Sequence, residues 1–425
     1  MHPTPLETNY VPVDVATQVS CQATAFRPNL RSGSLKLMFA DVAGPSFIFW
    51  PVGCGDSTTV VISETEVLQI DLNDTVVAAE DDNERVPLVD ELVAKLPTMN
   101  GRPYLSCFVL THPDLDHCRG FSELLKRVTI GELWHTPRVF REYHRDMSDD
   151  AVAFRREAAR RVARTIAAAG DPGPGDRVRV IGYDDLLKEQ KYNGFPRSAF
   201  TTPGQVISII DGKEARNRFS AFVHAPFKND SAEERNETSL AMQILIGTSV
   251  RNMAGLFLGD LSYPTLRRVI DESRAHGNSG RLAWDVLLAP HHCSKKAMYE
   301  RDASGADVLR QDILNDFEKA QRLGGFIVAS ARCIPGNNSP GDNPPHAKAK
   351  NRYEEIVSGR FICTGDHSTV ADIRPVMFTV TDAGIDLINR AYVLAEESKV
   401  DLMKAIAAAR GSNAPPTVKV GFGRA

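Results

Sequence analysis

The sequence predicts an α/β fold, one large core with decorations rather than two independent domains. Three observations predict it. Apolar, β-prone segments cluster near the start and again in the middle of the chain. Each cluster passes into alternating short apolar runs and amphipathic helices. The composition is that of a globular protein, 42% apolar and 24% charged over 425 residues, which excludes a mainly disordered chain. The 50 basic and 54 acidic residues leave a formal charge of -4, which argues against a passive nucleic-acid-coating protein.

The pattern divides the chain into a flexible arm over 1–33, a core over 34–390 with a basic helical insertion at about 138–175, and a C-terminal helix and tail over 391–425. The arm is rich in Pro, Thr, Gln and Asn and has no period. Strands are expected at Leu35–Phe39, Phe47–Val52, Thr58–Ile62 and Val67–Ile70, the last ending on Asp71. A helix over Pro87–Leu96 would put Val89, Leu92, Val93 and Leu96 on one face. Leu105–Leu110 is a continuous apolar run, hence a buried strand, followed by a helix from about Cys118 to Arg127 and a strand Ile130–Trp134. Ser148 is the expected N-cap of the insertion helix, with Asp149 and Asp150 where the dipole favours them; the helix stops near Ala169, before a Gly/Pro-rich stretch. Its Arg155, Arg156, Arg160, Arg161 and Arg164 are expected to form a solvated basic face, with phosphate-backbone contact as the sharper alternative. Further strands are expected at Val178–Ile181, Val206–Ile210, Phe219–Val223, Ser239–Ile246, Gly255–Leu258, Asp285–Ala289 and Phe326–Ala329. Helices are expected around Pro264–Ser273, Ala306–Ala320 and Tyr392–Ala409.

No stretch reaches the roughly 18 apolar residues that a membrane span needs. The first residues lack the basic and apolar regions of a signal peptide. The seven cysteines are scattered and form no CxxC pair. The expectation is a soluble, cytoplasmic protein of a reducing compartment, without a disulfide framework or a thiolate zinc site.

Chemistry concentrates at strand ends. His112-Pro113-Asp114-Leu115-Asp116-His117 follows a buried strand and offers four metal-ligand side chains within six residues. Alternate positions of an extended segment point the same way, and the adjacent Asp–His pair reaches around a turn, which suits hard-to-borderline ions. Asp260 ends a second apolar strand, after Gly259, whose lack of a side chain permits close approach. Pro290-His291-His292 ends a third. Together these predict a metal site built from His112, Asp114, Asp116, His117, Asp260 and one of His291 and His292. A carboxylate-rich site without thiolate suits one or two Zn²⁺ ions, with Mn²⁺ or Mg²⁺ as substitutes. A divalent ion eases the ionisation of water and stabilises developing negative charge. Asp116 would ligate and orient the nucleophile. Lys295 and Lys296 are candidates for holding a phosphate, and Ser294 is a minor one.

The order and context of these motifs resemble the metallo-β-lactamase fold superfamily, in the branch typified by the hydrolase domain of the DNA-uptake competence protein ComEC. The likeness covers about residues 35–375. It includes the Gly53-Cys54-Gly55-Asp56-Ser57 turn, the strand ending in Asp71, His112 to His117, Asn236-Glu237-Thr238-Ser239-Leu240, Asp260, Pro290 to Ser294, and a late segment from Ser330 through His346. The resemblance implies an αββα sandwich, a metal-dependent hydrolase, His292 as ligand, and His291 for substrate or leaving group. It makes Asn236 and His346 candidates for contact with substrate. Asp114 stands where the superfamily has its usual second histidine, as in the ComEC-like branch. The usual third histidine of the first site has no clear counterpart, His224 and Asn236 being the candidates. Cys293 replaces a glycine, and Arg119 stands where a small or apolar residue is usual.

The function this implies is a phosphodiesterase or nuclease acting on nucleic acid, with defence against foreign nucleic acid as a role suggested by the kind of protein alone. The alternatives are a small-ester, thioester or lactam hydrolase on the same fold, or a metal-containing regulatory subunit. The last would assemble with a partner protein or with a second copy of the chain.

Overall fold

Side-chain alternation along the strands decides the layers. In Ser46–Phe49, Phe47 and Phe49 face one way and Ile48 the other; in Arg102–Leu110, Cys107 and Val109 oppose Phe108 and Leu110. Both faces are apolar, so each of these strands must be covered on both sides. The computed structural model describes residues 42, 44–77, 86–141, 147–215, 217–228, 235–339, 341–367 and 374–388. All of them lie in the unit Leu37–Ala425.

Two large sheets result. The first runs, edge to edge, Ile385–Ile388, Val376–Val380, Ser46–Phe49, Thr58–Val61, Val67–Ile70, Arg102–Leu110, Thr129–His135, Arg177–Ile181 and Phe200–Thr201. It is antiparallel up to Val67–Ile70 and parallel from there on. The second runs Val206–Ile207, Phe219–Ala225, Ala241–Gly247, Asn252–Phe257, Trp284–Leu288, Gln321–Ala329 and Phe361–Cys363, again antiparallel first and parallel last. Phe47, Phe49, Leu68, Val109 and Trp134 of the first sheet meet Phe219, Met242, Phe257, Val286 and Val328 of the second in one core. Helices Leu88–Lys95, Phe121–Arg127 and Asp149–Ala168 cover the outer face of the first sheet through Leu92, Phe121, Leu124, Phe154 and Ala158. Helices Tyr263–Ala275, Gln311–Ala320 and Ala347–Val357 cover the second through Leu266, Ile270, Ile313, Phe317 and Tyr353. The architecture is the expected αββα sandwich. Among the described residues no helix is long and apolar enough to cross a membrane.

Several local expectations are corrected. The predicted helix from Cys118 to Arg127 is two, Leu115–Cys118 and Phe121–Arg127, because Gly120 takes φ 92° between them. The segment expected to open a helix at Ala306 begins as the strand Asp307–Leu309, paired with Tyr299–Arg301. The Asp302 carboxylate accepts from the Ser304 and Ala306 amides and sets the turn between them, so the helix starts only at Gln311. Val206–Ile210 divides into two short strands that pair in different sheets. The Ala347–Val357 helix and the strands Phe361–Cys363, Val376–Val380 and Ile385–Ile388 were not expected. The arm over 1–33, the strand Leu35–Phe39 and the helix Tyr392–Ala409 fall outside the described residues.

The insertion helix also differs from expectation. Ser148 caps it, accepting from the Ala151 amide at 3.2 Å. Asp150 accepts from the Gly120 and Ser122 amides, so the insertion braces the short helix that follows the His112–His117 segment. Arg161 is no part of a solvated face. Its side chain is 2% exposed, pairs with Glu157 at 2.8 Å, and donates to the carbonyls of Ile130, Gly131 and Arg177. Arg160 pairs with Glu157 and Asp176, whereas Arg164 stays 66% exposed. Removing Arg161 leaves three carbonyls without this donor, while Glu157 keeps Arg160. Arg161→Ala is therefore expected to destabilise the fold by about 3 kcal/mol in urea unfolding, and Arg164→Ala by less than about 0.5 kcal/mol.

Candidate metal centre

The C-terminal ends of parallel strands are where an α/β sheet leaves room for a ligand, and both sheets deliver their acidic and imidazole groups to such ends. Val67–Ile70 delivers Asp71, Arg102–Leu110 delivers His112 to His117, Asn252–Phe257 delivers Asp260, and Trp284–Leu288 delivers His291 and His292. The segment from Thr111 is tied across the interface by the Leu240 amide, which donates to the Thr111 carbonyl at 3.0 Å. The His291 amide donates to Gly259 at 3.1 Å and joins the two ends from the second sheet.

His112 and His117 are fully buried, and their outward nitrogens are committed. Asp71 accepts from the Thr111 amide at 2.8 Å, from the Thr111 hydroxyl at 2.6 Å, and from His117 Nδ1 at 2.8 Å. The Thr111 hydroxyl, having donated to Asp71, accepts from His112 Nδ1 at 3.1 Å. The network thus assigns the Nδ1–H tautomer to His112 and leaves its Nε2 lone pair aimed inward; Asp71 turns His117 Nε2 the same way. Those Nε2 atoms have no hydrogen-bond partner, and neither do Asp260 Oδ1, Asp56 Oδ1, or either ring nitrogen of His292.

These orphaned atoms converge. His112 Nε2 is 3.8 Å from Asp260 Oδ2, and His117 Nε2 is 3.5 Å from Asp260 Oδ1. His292 Nε2 lies 3.3 Å from Asp116 and 3.5 Å from Asp260, while its Nδ1 lies 3.4 Å from Asp56. The sets His112–His117–Asp260, Asp116–His117–His292 and Asp56–Asp260–His292 each bring three donor atoms within 4.8 Å of one another. Buried donors without partners are expensive unless a cation takes them. The donor set of imidazole and carboxylate fits a divalent ion.

The charges respond to this crowding. Burial disfavours charge on every group, yet Asp260, Asp71 and Asp116 outweigh it and hold the His117 imidazole well above its ordinary range. Asp260 and Asp56 do the same for His292. Asp260 and Asp116 are pulled below the usual carboxylate range despite burial, by His292 and His117 chiefly. His112, which burial dominates, is pushed down to about 3.

Exposure separates a floor from a rim. The side chains of His112, His117, Asp260 and His292 are at most 4% exposed, whereas Asp116 is 36%, Asp114 25% and His291 14% exposed. Asp114 faces His112 Nε2 at 3.9 Å and Arg235 at 3.6 Å, outside the three-donor sets. His291 also lies outside them, its Nε2 3.7 Å from Asp260 and 3.4 Å from the Asn236 amide nitrogen. Asn236 thus lies beside His291. Lys295 is not brought to the cluster: its ammonium pairs with Asp307 at 2.7 Å. Lys296 is exposed, and Ser294 is buried with its hydroxyl accepting from the Lys296 amide. His346 is engaged on both ring nitrogens, accepting from the Lys295 amide at 3.3 Å and donating to the Asp342 carbonyl at 3.1 Å. His224 is held by Ser273 and the Arg281 carbonyl, outside the cluster. Asp56 and Asp71 carried no assigned role in the sequence, although both belong to motifs noted there. Gly55 is what admits Asp56: a Cβ there would lie 2.6 Å from the Asp116 carbonyl oxygen.

No protein-family model and no curated protein matches the chain. Among solved structures, the metallo-β-lactamase GOB-18 from Elizabethkingia meningoseptica is similar at 12% identity, over 80% of this chain and 96% of that one, with a TM-score of 0.28.

Two outcomes follow from the geometry. His292→Ala is expected to lower metal content in elemental analysis after dialysis, and His291→Ala to leave it unchanged; equal loss would make both ligands. Asp71→Ala, which frees His117 to turn, is expected to weaken metal affinity about 10–100-fold in competition with a chromogenic chelator.

Proposed function

We propose that this protein is a metal-dependent hydrolase of phosphodiesters, with nucleic acid as its substrate. The observation that carries the hydrolytic reading is the convergence of His112, His117, Asp260, His292, Asp116 and Asp56 with their inward atoms unpaired. The sequence of motifs along the chain, from Asp56 to the His291–His292 pair, supports the ComEC-like branch of the metallo-β-lactamase fold superfamily. We infer a cytoplasmic site of action, with defence against foreign nucleic acid as the role to be tested. His112, His117, Asp260 and His292 would hold the ion, with Asp116 and Asp56 beside them, and Zn²⁺, Mn²⁺ or Mg²⁺ in one or two copies is the proposed cofactor.

A divalent ion at this place supplies Lewis acidity, easing the ionisation of water and stabilising negative charge on a phosphoryl oxygen. The protein's own groups supply orientation. Asp116, the most exposed carboxylate of the three-donor sets, faces arriving water and accepts its proton or fixes its direction. Burial lowers the His291 pKa, so the ring is held neutral and able to donate a hydrogen bond to a substrate oxygen. Asn236 orients that ring from the other side. Lys296 is the exposed cation next to the His pair, the one through which substrate charge would be felt.

Mn²⁺- or Zn²⁺-dependent cleavage of bis-p-nitrophenyl phosphate and of DNA or RNA is the expected result. Asp116→Ala should reduce it at least about 1,000-fold with an unchanged circular dichroism spectrum. Hydrolysis of a small ester or lactam with every phosphodiester left intact would replace this reading with the second enzymatic one. No hydrolysis of any of these with metal bound would favour the regulatory subunit.

A further inference from the structure

Asp260 is the carboxylate on which the candidate centre turns. It faces four imidazoles, those of His112, His117, His291 and His292, at 3.8, 3.5, 3.7 and 3.5 Å. Yet its backbone belongs to no strand or helix. It lies in the turn that joins the strand Asn252–Phe257 to the helix Tyr263–Ala275. The direction of its side chain is therefore set by whatever holds that turn, as the direction of any metal ligand is set by the groups behind it.

One short segment grips it. Asn236–Thr238 forms a single helical turn and leads through Ser239 and Leu240 into the strand Ala241–Gly247. Ser239 is fully buried. Its hydroxyl donates to the Asn236 carbonyl at 2.6 Å, which leaves the oxygen lone pairs to accept, and they accept from the Asp260 amide at 3.3 Å. Gly259 makes this approach possible. It takes φ 54°, and a Cβ there would lie 2.7 Å from the Ser239 Cβ. The neighbours of Ser239 tighten the same junction. The Glu237 carboxylate accepts from the Ser262 amide at 3.1 Å, just past Asp260, and the Leu240 amide donates to the Thr111 carbonyl, just before His112. Asn236 in turn reaches His291. A single hydroxyl thus joins the turn that carries Asp260 to the residue beside His291.

We propose that Ser239 is a positioning residue of the metal centre, fixing Asp260 through its amide and Asn236 through its carbonyl. The inference rests on the reading of the cluster as a divalent-cation site and is independent of which ester or diester is cleaved. Ser239 touches neither ion nor substrate. Without its hydroxyl, Asp260 keeps its carboxylate but loses the contact that orders its backbone. The ion must then order the ligand as it binds, and ordering on binding lowers affinity. Ser239→Ala deletes one oxygen and adds no atom, so the packing against Gly259 is kept.

The test uses the full chain, stripped of metal and titrated with Zn²⁺ in competition with a chromogenic chelator. Ser239→Ala is expected to bind Zn²⁺ about tenfold more weakly than the wild type. The control is Ser46→Ala, which removes another fully buried hydroxyl, one that donates to Thr379 at 2.9 Å at the start of the strand Ser46–Phe49. It should bind Zn²⁺ as the wild type does. Thermal unfolding supplies the second readout. The rise in Tm on adding Zn²⁺ should shrink in Ser239→Ala and stay unchanged in Ser46→Ala, since that rise follows metal affinity. A hydroxyl that only stabilises the fold would lower the metal-free Tm and leave both the affinity and the Zn²⁺-dependent rise as they are. That result would overturn the assignment, and so would an equal loss of affinity in Ser46→Ala. A wild type that takes up no Zn²⁺ would overturn the cation site itself, and the role of Ser239 with it.

Discussion

Buried negative charge is the constraint around which the rest is arranged. Asp56, Asp71 and Asp260 are each at most 5% exposed, and Asp116 and Asp114 stand above them. Carboxylates so close cannot all remain charged out of water without cations among them. The imidazoles answer in part, since His117 and His292 are driven toward their protonated forms by these same carboxylates. A divalent ion would answer more fully: it would take the orphaned lone pairs as well as the charge, and imidazole protons would leave as it bound. Metal ligation by histidine requires neutral rings, so uptake must weaken as pH falls and the rings reprotonate.

The backbone around the cluster is bent to meet this demand. Asp71, His291, His292 and Cys293 take φ of 54°, 51°, 53° and 64°. L-residues in this left-handed region are strained, and three in a row persist only when the surroundings hold them. Those surroundings are visible. The Gly259 carbonyl receives the His291 amide, the Cys293 carbonyl receives the His346 amide, and the His346 ring receives the Lys295 amide. His346 thus acts on the turn that carries the histidine pair. The two sheets make this affordable, because the strain is spread over strand ends whose other residues are packed in a continuous core.

Most of the fold was legible because its strands alternate or run apolar and its helices are amphipathic, and these are local signals. Phe47–Phe49 and Phe108–Leu110 show their two faces in the sequence itself. The elements that escaped depend on distant partners. Val376–Val380 is a strand because Ser46–Phe49, more than three hundred residues earlier, lends it an edge. Asp302 overrode the helical look of the Ala306 segment through a turn that periodicity does not register. In the centre, His112 to His117, Asp260 and the histidine pair stood out by residue type at strand ends. Asp56 and Asp71 were less visible as participants, since a lone aspartate after a glycine or a strand is common. The arginine helix misled for a related reason: charge density along a helix says nothing about Arg161 turning inward to three carbonyls.

The central claim is that the clustered imidazoles and carboxylates form a cation site. Calorimetric titration of chelator-stripped, dialysed protein with Zn²⁺, run in two buffers of different ionisation enthalpy, tests it most directly. The account predicts saturable binding of at least one ion per chain, protons released on binding, and an apparent affinity that rises with pH as His117 and His292 give up their protons. Absence of saturable binding, or binding without proton release and unchanged by Asp260→Ala, would contradict it.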